Sequence, residues 1–413
     1  AEVQEDCKQL VKDQIQHGVL ADECGYERVF FTEHHFELTG AEFSPNPLQS
    51  QSIIASKTED IKLCQGTNVL TWHDPIRFAE QTAMLDVISN GRAEIGVGRG
   101  YQPRENEVLG GQYWGGTIQD QEKNRVSFEE KFEIVKSAWT EDMFSFTGEF
   151  HSIPPKYTKW HHPHERAYLD DEVTEYDVED VIDWKEGDFY SSDLWNTVVS
   201  GGSTLNSLTV FPQPEQDPHP QLWQPVSSYR SCDYAAKNAI NGMTFAHTEG
   251  VKKNLERYYA AAEEAGWPDH RPKYDGEPFK HGWDESRDRG FITGRWIFNT
   301  DIADEETFEQ WKQGVEHTWD FFGAFGFTTP ITGDPDVTPT AQQLIDKGVI
   351  IAGDAEHIAN EILNQAETLG YEDFNFAIFF ETSGVSNEVT NEQLINFSEE
   401  VRPYIDEAFP SPS

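Results

Sequence analysis

The sequence predicts an alternating α/β chain whose parallel strands close as a (β/α)8 barrel, and three observations predict it. A unit of helix, then glycine with an aromatic, then apolar strand recurs along the chain. Two of the strands, Val29–Phe31 and Phe376–Phe380, are continuously apolar, as expected when helices cover a parallel sheet. Seven such strands can be read in 413 residues, and the chain opens inside a helix, so a strand preceding Ala1 would make eight. An open doubly wound sheet uses the same elements and is the structural alternative.

The elements follow in order. Val11, Ile15 and Val19 mark one helical face, Gly25 ends that helix, and Val29-Phe30-Phe31 is the first strand. Strands are expected at Ile61–Leu70, Ala93–Val97, Leu222–Val226, Gly242–Phe245, Thr293–Phe298 and Phe376–Phe380. The clearest helix follows Asp74-Pro75, where Asp caps and Pro suits the first turn, with Phe78, Leu85 and Ile88 as its buried stripe. Val251, Leu255, Tyr258 and Ala262 mark another, and Ile358, Ile362, Ala366 and Leu369 a third, closed by Gly370-Tyr371. The whole chain, 1–413, reads as one barrel domain, interrupted by a long irregular stretch at 156–207. Within it Ala167–Asp188 carries ten acids against one Lys. A connection this long is a lid, a contact surface or a solvated insertion.

Acidic side chains number 74 against 31 basic ones, a net charge of −43. A field of that sign excludes nucleic acid and anionic membrane surfaces as partners. Aromatics make up 13% of the chain, enough apolar surface to exclude disorder. Acid spread along the whole length suits a protein from a salt-filled, halophilic cytoplasm, because molar salt screens self-repulsion within about 3 Å. The four cysteines are scattered and suggest neither a zinc site nor a disulfide framework. No apolar run reaches membrane-spanning length and no signal peptide opens the chain, so a cytoplasmic location is expected. The run His161-His162-Pro163-His164 could hold a transition metal, but in an acidic loop without cysteine the reading is a solvated segment and no metal.

Three constellations sit where loops should leave the C-terminal ends of strands, the catalytic face of such a barrel. Glu33-His34-His35-Phe36 follows the first strand and offers near-neutral proton donors or acceptors on alternate faces. A hydrogen-bonded pair of core histidines is the bland alternative. Gly96-Val97-Gly98-Arg99-Gly100-Tyr101 ends the Ala93–Val97 strand, with glycines that let backbone approach a ligand and an Arg fork suited to phosphate. It is not a Rossmann fingerprint, and an Arg paired with a carboxylate is its alternative. Ser227-Ser228-Tyr229-Arg230-Ser231 opens a helix, either an anion site or ordinary capping.

Together, EHHF at Glu33–Phe36, HDP at His73–Pro75, LDVISNGRAEIGVGRGYQ at Leu85–Gln102, FSFTGEF at Phe144–Phe150, PHPQLW at Pro218–Trp223 and GVIIAGDAEHIANEIL at Gly348–Leu363 resemble the bacterial luciferase-like flavin-dependent monooxygenases. The resemblance implies a TIM barrel binding reduced FMN, or in a sister branch the deazaflavin coenzyme F420, at the C-terminal ends of its strands. Carried over by position, it implies His34 beside the flavin ring with His35 as neighbour. Arg99 then binds phosphate, with the Tyr101 backbone next to it, and Ser228 and Ser231 are the hydroxyl pair. Gly66-Thr67 falls where the family often has a non-proline cis peptide under the ring, followed by Asn68. Phe36 and Trp72 would wall the pocket. Ser227, where luciferases carry an acid, and the length of 156–207 depart from the pattern. RGY, where the deazaflavin branch tends to show GE, favours FMN.

The function expected is a two-component monooxygenase that uses reduced FMN and O2 to oxygenate a small organic substrate. A separate flavin reductase is expected as partner, since no NAD(P)H site is visible, and family likeness suggests a homodimer. The alternatives are an F420-dependent hydride-transfer enzyme and a non-catalytic flavin-binding subunit.

Overall fold

A computed structural model describes residues 2–37, 43–111, 116–155, 158, 173–175, 203–266, 291–370 and 374–408. The run His161–His164 and most of 156–207 lie outside the described residues. The chain divides into two compact units, one of residues 1–69, 85–105 and 215–413, the other of 70–84 and 106–214.

The first unit holds the sheet. Helix α1 (Glu2–Glu23) leads to β1 (Arg28–Phe31), α2 (Pro47–Ala55) to β2 (Lys62–Gln65) and the short β3 (Asn68–Val69), and the end of α3 (Pro75–Ile88) to β4 (Ala93–Gly98). After residue 215 come β5 (Gln221–Pro225), α4 (Tyr229–Lys237), β6 (Asn241–Thr244), α5 (Thr248–Glu264) and β7 (Phe291–Asn299). Then follow α6 (Glu305–Gly323), α7 (Ala341–Asp346), β8 (Ile350–Gly353), α8 (Ala355–Leu369), β9 (Phe374–Phe379) and α9 (Asn387–Asn396). Every pairing in this sheet is parallel, in the order β1, β2, β4, β5, β6, β7, with β8 and β9 both joined to β7 and β3 to β4. The parallel, helix-alternating sheet expected from the sequence is therefore present.

Two expectations need adjusting. Ile61–Leu70 is not one strand, because the ladder breaks at the cis peptide Gly66-Thr67 and a tight helical turn takes over at Leu70. Ile350–Gly353 is a strand the periodicity did not mark, four residues long and leading straight into the Asp354 cap of α8.

Alternation along each strand sends one set of side chains inside. Cys64, Trp223, Met243 and Ile292 form the inner cluster, with Phe30 and Ala377 against it. At the N-terminal ends the interior is polar: Arg28 Nε donates to Glu94 Oε2 at 2.8 Å and Nη1 to Asn375 Oδ1 at 3.0 Å, and Trp223 Nε1 donates to the same Glu94 oxygen at 2.8 Å. Arg28 and Glu94 side chains are each 4% exposed, so their pairing compensates charges that burial would otherwise penalise by several kcal/mol per ion. The sheet's outer face is covered where α6 lays Trp311, Val315 and Trp319 on Trp296 and Phe298.

In the second unit the helix Gln121–Thr140 is capped by Asp120 and buries Phe128, Lys131, Phe132 and Trp139. Phe146–Thr147 pairs antiparallel with Ser152–Ile153, and Val173–Glu175 with Ser203–Leu205. Lys131 Nζ donates to the carbonyls of Leu70, Thr71 and His73 at 3.4, 3.1 and 2.8 Å, and burial lowers its pKa to about 7.

Candidate functional site

Because β1, β2, β4 and β5 run parallel, the loops that follow them leave the sheet on one face. Those loops carry His34 and His35, Gly66, Thr67 and Asn68, Arg99 and Tyr101, and Ser228 and Ser231, all within the first unit.

The loop after β1 is tied down at both ends. His34 N–H donates to Ser44 O at 3.0 Å, and Glu33 Oε2 accepts the Val69 N–H at 2.5 Å. Glu33 is 4% exposed, and its other oxygen lies 3.5 Å from His35 Nε2. Phe36 takes a positive φ of 62° and is 46% exposed, so its ring stands in solvent in this unit.

The turn after β2 explains two of the glycines in the Gly96–Tyr101 segment. A Cβ on Gly96 would sit 1.8 Å from Gln65 O, and one on Gly98 would sit 2.5 Å from Thr67 Oγ1. The glycines thus serve close approach of one strand end to the next as much as approach of a ligand. Asn68 is buried, and its Nδ2 donates to Gln65 Oε1 at 2.9 Å and Gly96 O at 3.1 Å, so its amide fixes the turn. The peptide Gly66-Thr67 is cis, as the resemblance implied.

The loop after β4 presents half-buried Arg99 beside Gly100, whose φ is +71°. Tyr101 meets the His34 ring edge-on at 5.8 Å and the rings of Phe325 and Phe327, beyond α6, at 4.9 and 5.6 Å. Gln102 Nε2 lies 3.4 Å from His34 Nδ1. Glu105, 1% exposed, accepts the His35 N–H at 2.5 Å and lies 3.4 Å from His34 Nδ1. Its second oxygen is buried without a partner.

Ser228 and Ser231 open α4 as a reciprocal cap. Ser228 Oγ accepts the Ser231 N–H at 3.3 Å, and Ser231 Oγ accepts the N–H groups of Ser227 and Ser228 at 3.1 and 3.0 Å. Capping and anion binding are therefore not alternatives at this helix start. The same residues that satisfy it, exposed Ser228 and half-buried Ser231, stand at its positive end. Trp72 lies in the second unit, where its Nε1 donates to Asn106 Oδ1 at 3.0 Å.

Sequence reading missed Glu105, Gln102 and the pair Phe325 and Phe327. Glu105 carries the one signal that could have found it, six residues beyond Arg99 and two beyond a proline that starts a helical turn. Phe325 and Phe327 are brought in by the fold alone. Among the described residues no group of His, Cys, Asp and Glu could hold a metal, and no helix is long and apolar enough to cross a membrane.

Comparison with known proteins bears on the family likeness and the fold. Residues 4–171 match the family model of luciferase-like monooxygenases. Over 98% of its length the chain is 24% identical to the oxygenase component of the flavin-dependent trigonelline monooxygenase of Acinetobacter baylyi, covering 92% of that protein. The oxygenating constituent of the 3,6-diketocamphane monooxygenase of Pseudomonas putida, a type II Baeyer–Villiger enzyme solved with FMN, superposes with a TM-score of 0.65 at 19% identity, over 96% of this chain and 94% of that one. An F420-dependent secondary alcohol dehydrogenase superposes with a TM-score of 0.59 at 12% identity, over 96% and 95%. At these identities the solved structures establish the fold alone, an α/β TIM barrel.

Proposed function

We propose, from the premise that this chain belongs to the luciferase-like monooxygenase family, that it is the oxygenase of a two-component flavin system. Reduced FMN made by a separate reductase would bind at the C-terminal ends of the strands and oxygenate a small organic substrate with O2. The observation that carries this reading is the convergence, on one face of the sheet, of a cation, an exposed capped helix start and a buried histidine. Arg99 with the α4 N-terminus, Ser228 and Ser231 is a donor set suited to a dianionic phosphate. Bound reduced flavin supplies the electrons that activate O2.

The chain's own residues do the rest. Arg99 and the serines hold the phosphate, and the Gly66–Asn68 turn and the Tyr101 backbone support the ring. His34 takes or gives a proton at the ring's edge, with His35 beside it as the second proton-handling candidate. Water must be kept from the reacting ring, and the aromatic edges of Tyr101, Phe325 and Phe327 supply apolar surface beside His34 for that purpose.

A deazaflavin-dependent hydride transferase is the second reading, supported by the likeness to the F420-dependent dehydrogenase. Oxygen separates the two, because the deazaflavin passes hydride and leaves O2 alone. We further infer a homodimer: Val87 and Ile88 on α3 and Ile53 on α2, all in the first unit, are large apolar residues left exposed. The excess of acid over base supports residence in a high-salt cytoplasm.

The test is anaerobic titration at high salt with reduced FMN and with reduced F420, followed by admission of O2 and assay for labelled oxygen in the product of a supplied substrate. Tight binding of reduced FMN, weakened about 10–100-fold by Arg99→Gln for loss of a charge-assisted phosphate contact, supports the reading. Binding of neither cofactor would end it.

A further inference from the structure

The function above assigns no role to Glu105, although its position is among the most constrained near the site. It closes the helical turn Pro103–Glu105 after β4 and is 1% exposed. Oε1 accepts the His35 N–H at 2.5 Å and lies 3.4 Å from His34 Nδ1, while Oε2 is buried with no partner. A buried carboxylate usually gathers donors around both oxygens, since a bare one forfeits roughly 1–3 kcal/mol or more. Here Oε1 takes the His35 N–H and stands at ion-pair distance from His34 Nδ1.

Two groups compete for His34 Nδ1. Gln102 Nε2, at 3.4 Å, would donate to an unprotonated nitrogen, and Glu105 would accept from a protonated one. A carboxylate outweighs a neutral amide at equal distance, because charge-assisted hydrogen bonds are roughly twice as strong. The proton then sits on Nδ1 and the lone pair on Nε2. The remaining titratable groups on the two loops are accounted for: Glu33 faces His35 at 3.5 Å, Glu37 pairs with Arg104 at 3.3 Å, and Tyr101 meets His34 with its ring. Arg99 stands on the same β4 loop, two residues before Tyr101.

We propose that Glu105 is a positioning residue that holds His34 as its Nδ1–H tautomer, so that Nε2 accepts the proton released in the reaction and the resulting imidazolium is stabilised by the Glu105 carboxylate. The proton moves to His34 Nε2 and is later returned to solvent. No electron is transferred to or from either residue. This rests on the reading of His34 as the proton-handling residue, and the experiment separates the two.

Glu105→Gln keeps an oxygen for the His35 N–H and removes the charge. In the flavin-free protein, nitrogen-15 histidine spectra, with His34 assigned by its absence in His34→Gln, should show the Nδ1–H form in wild type. In Glu105→Gln they should show a shift towards Nε2–H, with a His34 titration lowered by about one unit, the size expected for loss of a neighbouring carboxylate. With enzyme, substrate and reductase, kcat should fall about 10–100-fold, as for a weakened general base, and the acid limb of kcat/KM should move to lower pH. Glu105→Asp should restore part of both. An unchanged tautomer and limb in a folded Glu105→Gln protein would overturn the proposal and leave Glu105 as an anchor for the His35 backbone. Should His34→Gln itself retain wild-type turnover and acid limb, the reading of His34 falls, whatever Glu105 does to the tautomer.

Discussion

Lys131 offers a quantitative check on the second unit. Its amine is fully buried and donates to three carbonyls, and burial brings its pKa from 10.5 down to about 7, against a smaller opposing pull from Asp74. The unfolded chain keeps that proton up to about pH 10.4, so between pH 7 and that value the unfolded state binds more protons. Stability therefore rises with pH across this window, and below pH 7 the full penalty is present. At about 1.36 kcal/mol per unit the shift corresponds to on the order of 5 kcal/mol, and the three carbonyl acceptors, which favour the charged form, bring the expected gain to about 2–5 kcal/mol. The perturbation is Lys131→Met, which fills similar volume without a titrating group. Urea unfolding of both proteins from pH 6 to 10 at fixed high salt isolates the lysine, because every other titration cancels in the difference. The wild type should gain on the variant steadily as pH rises. Parallel curves would refute the reasoning.

Three further outcomes are expected. Gly96→Ala should lower the melting temperature sharply, by the equivalent of about 3 kcal/mol or more, because its Cβ would meet backbone Gln65 O at 1.8 Å and backbone cannot swing aside; a variant melting within 2 °C of wild type would contradict this. His17, buried between Glu381 Oε1 and Asn387 Oδ1 at 2.5 Å each, has its pKa raised: burial lowers it, but the Glu381 hydrogen bond and charge outweigh burial. Its contribution is complete below the unfolded value near 6.5 and lost as pH rises through the folded value, so His17→Gln should remove a loss of stability seen in wild type from pH 6 to 8, read by thermal melts. Finally, the melting midpoint should climb between roughly 0.1 M and several molar KCl, since a net charge of −43 repels itself at low ionic strength; a flat midpoint would contradict the halophilic reading.

Much of the sheet could be read because parallel strands advertise themselves. Val29–Phe31 is an unbroken apolar run shortly after Gly25, Ala93–Val97 is apolar but for Glu94 and runs into the glycines, and both lie in strands. Ile350–Gly353 escaped notice because four residues are too few to establish a period. The break after Gln65 escaped because the strand reading ran from Leu63-Cys64 to Val69-Leu70 across the polar Gln65-Gly66-Thr67-Asn68, and tertiary contact with Gly96 and Gly98 shows the turn there. The site was legible where a residue's type is unusual for its place, as with adjacent histidines at a strand end or an arginine among so much acid. Glu105 was not, since in so acidic a chain its place six residues beyond Arg99 and two beyond Pro103 stands out only once its burial is seen.

The reciprocal cap of α4 has a consequence for binding in brine. With Ser227 and Ser228 N–H groups already bonded to Ser231 Oγ, an arriving anion at that helix start exchanges contacts and gains few new ones. A halide, with a single diffuse charge, has little to offer in such an exchange. A phosphate, with several acceptor oxygens and Arg99 to clamp it, has much more. The cap would then act as a filter that lets a dilute organic phosphate compete with molar chloride.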